Sequence, residues 1–197
     1  MPIRVPSLAA ALIAAASTLA LSACASLDMA TNSQPEPEFV LEDYFAGKTL
    51  AYGTFEDRSS KVMRTFSVVT YGSKTNSGFT LDEQFLWSDG ERQRRTWTFT
   101  KLSEGLYEGR AGDVEGVAKI TNRGNAIRIQ YDLNVPYKGK TIKLRFDDWS
   151  HLVADGVAIN RADVSKFGIH VGRATLSFIK PDAERPVADE LEKSFTQ

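Results

Sequence analysis

Cysteine is almost missing from this sequence: Cys24 is the single one in 197 residues. A lone thiol makes no intramolecular disulfide and no cysteine cage for a metal, so packing must hold the fold. Neither sign of charge dominates, because 24 Lys and Arg stand against 25 Asp and Glu and both signs are spread along the chain. That balance offers no basic surface for nucleic acid and no acidic block for a cationic partner. Familiar catalytic signatures are absent too. No serine stands in a Gly-x-Ser-x-Gly elbow, and there is no His-Glu-x-x-His pair, phosphate-binding glycine loop or dinucleotide fingerprint. The sequence is therefore read as non-enzymatic, with no cofactor and no metal.

Apolar runs are missing as well, except near the N-terminus. Arg4 precedes an apolar stretch from Val5 to Leu21, which is short for a bilayer span and closes on small residues. It leads into Leu21-Ser22-Ala23-Cys24, which reads as a lipobox, the bacterial motif in which the signal is cut before a cysteine that carries lipid. Residues 1–23 are then a lipoprotein signal peptide, and Cys24 is the lipid attachment site, bearing diacylglyceryl and an amide-linked acyl chain such as palmitate. Two or three acyl chains hold a protein on a membrane far more firmly than one, since each buried methylene contributes about 0.8 kcal/mol. The rest of the chain is placed in the cell envelope facing the periplasm. Ala25, where an Asp commonly retains lipoproteins at the inner membrane, favours the outer one.

About 170 residues remain after such a cut, enough for one domain. Residues 24–38 are small and polar with Pro35 and Pro37, which suits a lipidated tether of up to roughly 45 Å. Glu42 to Gly47 reads as a short helical turn closed by glycine. From there on the pattern is β, and residues 39–180 are read as the barrel domain. Ile127, Ile129, Tyr131, Leu133 and Val135 alternate with Arg128, Gln130, Asp132 and Asn134, and Ile142, Leu144 and Phe146 alternate with Lys143, Arg145 and Asp147. Turn residues separate such runs at Ser88-Asp89-Gly90, Arg123-Gly124-Asn125 and Lys138-Gly139-Lys140. About eight to ten antiparallel strands, each with one apolar face, predict an all-β, up-and-down barrel, with a β-sandwich as the main rival. Residues 181–197 are a charged tail, or a short helix through Val187, Leu191 and Phe195.

Several motifs in order carry a family resemblance. They are Tyr44-Phe45-Ala46-Gly47, Leu81-Asp82-Glu83-Gln84-Phe85, Ser88-Asp89-Gly90-Glu91 with Arg94-Arg95-Thr96-Trp97, and Gly112-Asp113-Val114-Glu115-Gly116. Gly124-Asn125-Ala126, Phe146-Asp147-Asp148-Trp149, Asn160-Arg161 and Lys166-Phe167-Gly168 complete the set. The chain resembles the bacterial envelope lipoproteins grouped as the domain of unknown function 3833. The resemblance implies a lipocalin-like barrel and brings no catalytic residue with it.

The segment from Phe79 to Lys101 yields the sharpest site. A hairpin with Gly90 in a left-handed bulge position sets Phe85 against Gln93, Glu83 against Arg95, Leu81 against Trp97 and Phe79 against Phe99, which brings like faces together. Glu83 and Arg95 then face inward among Phe85, Trp97 and Phe99. Arg95 would bind a ligand carboxylate or phosphate bidentately while the aromatics hold an apolar tail; the alternative is an ion pair that satisfies only itself. Asp147 and Asp148 point to opposite faces, which disfavours a shared metal. Asp148 turns inward, with the backbone or an interior Arg such as Arg161 as its expected partner, and His170 faces outward. The resulting expectation is a membrane-anchored barrel binding an apolar or amphipathic ligand such as a fatty acid at Glu83, Arg95, Phe85, Trp97, Phe99 and Asp148. The alternatives are a lipoprotein that docks an envelope protein partner around a solid core, or an enzyme on lipid using Asp148 or Glu83 as acid or base.

Overall fold

The computed structural model describes residues 28–181. A four-residue helix α1 (Leu41–Tyr44) precedes ten strands: β1 (Gly47–Asp57), β2 (Val62–Thr75), β3 (Gly78–Trp87), β4 (Arg92–Ser103), β5 (Leu106–Arg110), β6 (Val114–Arg123), β7 (Ala126–Tyr137), β8 (Lys140–Ala154), β9 (Val157–Lys166) and β10 (Ile169–Ile179). Every strand pairs antiparallel with its sequence neighbour, and β1 pairs with β10 from Leu50↔Ile179 to Asp57↔Gly172, so the sheet closes. Closure settles the choice against the β-sandwich: an up-and-down barrel leaves no strand edge free to pair with another chain. The expected helical turn is present as α1. Cys24 and the proposed C-terminal helix lie outside the described residues.

Alternation sends one side chain in two into the lumen. Toward the end where α1 lies, the interior is filled by Phe79, Phe99, Ile120 and Ile127, all essentially inaccessible to solvent. The same end is capped by Phe39, Leu41, Tyr44 and Phe45, and the rings Phe39, Tyr44, Phe45 and Phe178 pack edge to face in succession with centroids 4.9–5.1 Å apart. The Tyr44 hydroxyl shares its hydrogen bonding between the Gly156 and Phe178 carbonyls, each at 3.0 Å. At the opposite end the inward residues Phe55, Phe85, Trp87, Val114, Val135, Phe146 and Leu176 are only partly buried. The barrel is thus closed below and open above.

Glycines let aromatic rings lie flat against the wall. A Cβ on Gly53 would meet Phe66 Cζ at 2.8 Å, and one on Gly109 would meet the Phe99 ring at 3.1 Å. Phe66 and Phe99 are the direct cross-strand partners of these glycines, so the ring takes the space the missing side chain leaves.

Residues 28–38, expected as part of a free tether, are laid against the outside of the barrel. Met29 is buried in a small cluster with Ala126 and Trp149. Gln34 accepts from the Asn125 backbone N–H at 2.8 Å and donates its own to Asn125 Oδ1 at 2.7 Å. Asn32 O sits 2.8 Å from His151 Nε2. Trp149, an outward tryptophan on β8, is the reason: Arg128 lies over its ring at 4.8 Å, His151 stacks beside it, and Met29 covers the rest.

Candidate functional site

The hairpin β3–β4 adopts the register read from its sequence. Glu83 pairs with Arg95, Phe85 with Gln93, Leu81 with Trp97 and Phe79 with Phe99, and Gly90 takes φ 86° in the turn. Glu83 and Arg95 both face the lumen and are almost wholly buried, with side chains 12% and 11% exposed. The expected pairing between them is loose, however, at 3.8 Å. Arg95 instead forks onto Asp113, its Nε 3.0 Å from both carboxylate oxygens and its Nη2 2.8 Å from Oδ2. Asp113 belongs to the β5–β6 turn at the open end, and bidentate geometry makes it the strong partner. Glu83 takes its hydrogen bond from Trp97 Nε1 at 3.1 Å.

Asp148 does enter the lumen, but Arg161 is not its partner. Arg161 points outward and bonds Asp163 at 3.0 Å. The Tyr131 hydroxyl donates to Asp148 Oδ2 at 3.1 Å, while Oδ1 is out of reach of solvent and has no hydrogen-bond partner among the described residues. Tyr131 stacks on Phe146 at 5.1 Å and meets Trp97 edge to face at 5.3 Å. Trp97 comes from β4 and Tyr131 from β7, so this contact spans the lumen and forms a floor. Below it lies the packed core, and above it lie Phe85, Trp87, Phe55 and the other partly accessible walls. The small residues Gly53, Ala162, Gly172 and Ala174 line the arc of β1, β9 and β10 that faces β4 around the ring.

Phe99 belongs to the packed core under the floor; Phe85, Trp97, Glu83, Arg95 and Asp148 converge on it. The sequence pattern points to neither Asp113 nor Tyr131: Tyr131 reads as an apolar strand position, and Asp113 lies in a turn with no periodicity to give its direction. Asp147 is outward as expected, held 2.7 Å from Arg128. His170 is exposed.

Burial sets the electrostatics. It raises the Asp148 carboxyl to about 7, against the Tyr131 hydrogen bond and the Arg95 charge, which lower it. Burial raises Glu83 in the same sense, opposed by Arg95, and lifts the Tyr131 phenol well above its ordinary range. Desolvation disfavours each charged form, and one guanidinium serves three carboxyl groups. Trp87 Nε1, nearer the mouth, is a buried donor without a partner among the described residues.

Two open depressions of about 540 and 510 Å³ lie on the capped end, along residues 30–38 with Gly124 and around Glu42, Ser77 and Lys101. Neither touches the interior polar cluster. Among the described residues no group of three His, Cys, Asp or Glu is placed to hold a metal ion, and no helix is long and apolar enough to cross a membrane.

A family model described as "Protein of unknown function (DUF3833)" matches residues 18–180. No curated protein matches the chain. Among solved structures, the S-type phycobiliprotein lyase CPES from Guillardia theta is similar with TM-score 0.53 and 6% identity, over 72% of this chain and 91% of that one. EF1p2_mFAP2b bound to DFHBI matches with TM-score 0.40 and 10% identity, over 70% of this chain and 94% of that one. At such identities the likeness to the lyase is one of fold, a lipocalin-like barrel.

Proposed function

We propose, on the premise that this chain belongs to the family of proteins of unknown function DUF3833, that it is a lipid-anchored envelope lipoprotein whose barrel binds an apolar or amphipathic ligand. The observation that carries this reading is the open end. Inward aromatic and aliphatic side chains stay partly accessible above the Trp97–Tyr131 floor, where a solid barrel would bury them. An apolar wall around a few convergent polar groups is the ordinary make-up of a small-molecule site. A fatty acid is one ligand of this class, although its carboxylate reaches Arg95 only by displacing Asp113. The similar fold with TM-score 0.53 is named a phycobiliprotein lyase, which agrees with a ligand-holding role and does not carry it.

The anchoring part rests on Leu21-Ser22-Ala23-Cys24 and the apolar run before it, with Ala25 supporting the outer membrane and a periplasm-facing barrel. Native mass spectrometry of the protein extracted from its own membrane tests the reading. A barrel-bound small molecule that organic solvent removes is the expected result. Apo-protein alone, unable to take up any apolar probe, overturns it in favour of a protein that docks envelope partners.

A further inference from the structure

Ligand binding in the barrel leaves open which kind of polar head the floor accepts, and the hydrogen-bond inventory there is one-sided. Arg95, the one cation among the described residues of the lumen floor, has its fork closed by Asp113 at 2.8–3.0 Å and stands 3.8 Å from Glu83. Its capacity to take a carboxylate is already used. The oxygen left over is an acceptor: Asp148 Oδ1, desolvated and without a donor among the described residues. Glu83, which accepts from Trp97 Nε1, adds a second inward carboxyl group. An unpaired acceptor in low dielectric is costly until a donor arrives, and a donor that carries positive charge also offsets the excess of carboxyl groups over guanidinium.

We infer that the barrel selects an amphiphile whose head donates hydrogen bonds to Asp148, a primary ammonium above all, and discriminates against carboxylate heads. This rests on the ligand-binding reading above and narrows it, setting fatty acids against it. The apolar tail then runs toward the open end along Phe85, Phe146 and Leu176, while the ammonium meets Asp148 Oδ1 beside Tyr131. Arg95 and Asp113 neutralise one another and act as the wall of the head site rather than as its ligand.

Isothermal titration of the full chain carrying Cys24→Ser with octylammonium, octanol and octanoate reads the preference directly, since the three share one tail. The expected order is octylammonium, then octanol, then octanoate, with about tenfold or more between the ammonium and the carboxylate, the range of one charge-assisted hydrogen bond. Asp148→Asn should weaken octylammonium roughly tenfold and octanol far less. Asp113→Asn should open the Arg95 fork and raise octanoate affinity, which keeps the idea testable if the first variant fails to fold. Octanoate as the tightest ligand of the wild type, or octylammonium indifferent to Asp148→Asn, overturns the head-group inference while ligand binding stands. Heat from none of the three overturns ligand binding itself.

Discussion

At the level of single residues the lumen floor is held together by groups that would rather be neutral. Asp148 is the clearest case: burial carries its carboxyl from an ordinary 3.8 to about 7. The unfolded chain gives up that proton near the ordinary value while the native barrel keeps it, so the native state binds more protons between those two points. The contribution of Asp148 to stability is then fullest below about pH 4 and is lost as pH rises to about 7. The groups facing the carboxyl are Tyr131 from β7, Glu83 from β3 and Arg95 from β4, with apolar Ala162 beside it on β9. Glu83 is shifted the same way and adds to the slope. Asp148→Asn, which keeps the Tyr131 hydrogen bond, should therefore raise the melting temperature by roughly 5 °C near pH 8 and by little near pH 4. Calorimetry at both pH values checks it; an equal shift at the two would mean that the charge on Asp148 has no part in it. Alternation alone put Glu83, Arg95 and Asp148 inside. It could not show that Asp113 would take the guanidinium, because a turn residue has no face assigned by period.

Among the elements, the strands were legible wherever one face is apolar, and the β3–β4 register followed from matching like faces across a glycine turn. Residues 28–38 were not legible. Their prolines and small polar residues suit a tether, and nothing local shows that an outward Trp149 needs a cover. The structure shows the contact resting on Gly124, whose φ is +51° and whose added Cβ would lie 1.9 Å from Gln34 O. Gly124→Ala should therefore lift this segment from the wall and leave the barrel closed. Hydrogen exchange followed by mass spectrometry is the measure: faster exchange over residues 32–36 and at Asn125, with β3 and β4 still protected, is expected. Unchanged exchange at Gln34 and Asn125 would show that the contact does not depend on the glycine.

For the whole molecule, apolar alternation is shared by barrels and sandwiches, and only the pairing of the first strand with the last, Leu50 with Ile179 onward, distinguishes them. That contact joins the two ends of the sheet and leaves no local trace in the sequence. Closure also gives the molecule sides, and the docked segment makes one of them special. If Cys24 carries lipid as proposed, five residue steps separate it from Met29 on the β7–β8 wall, a reach of at most about 18 Å. The leash is short compared with the free tether expected from composition, so the barrel cannot turn every side to the bilayer. The β7–β8 wall should stay near the headgroups, with β2 and β3, on the far side of the ten-strand ring, held away. Val153 on β8 and Gln84 on β3 are both exposed. With Cys24 acylated, Val153→Cys or Gln84→Cys supplies the single reactive thiol for a fluorescent donor. Energy transfer to an acceptor on the lipid headgroups should be clearly stronger from position 153 than from position 84, and releasing the segment with Gly124→Ala should bring the two closer together. Equal transfer in the unaltered protein would mean that the barrel tumbles freely, and the docked segment would then have no hold on how the open end is presented.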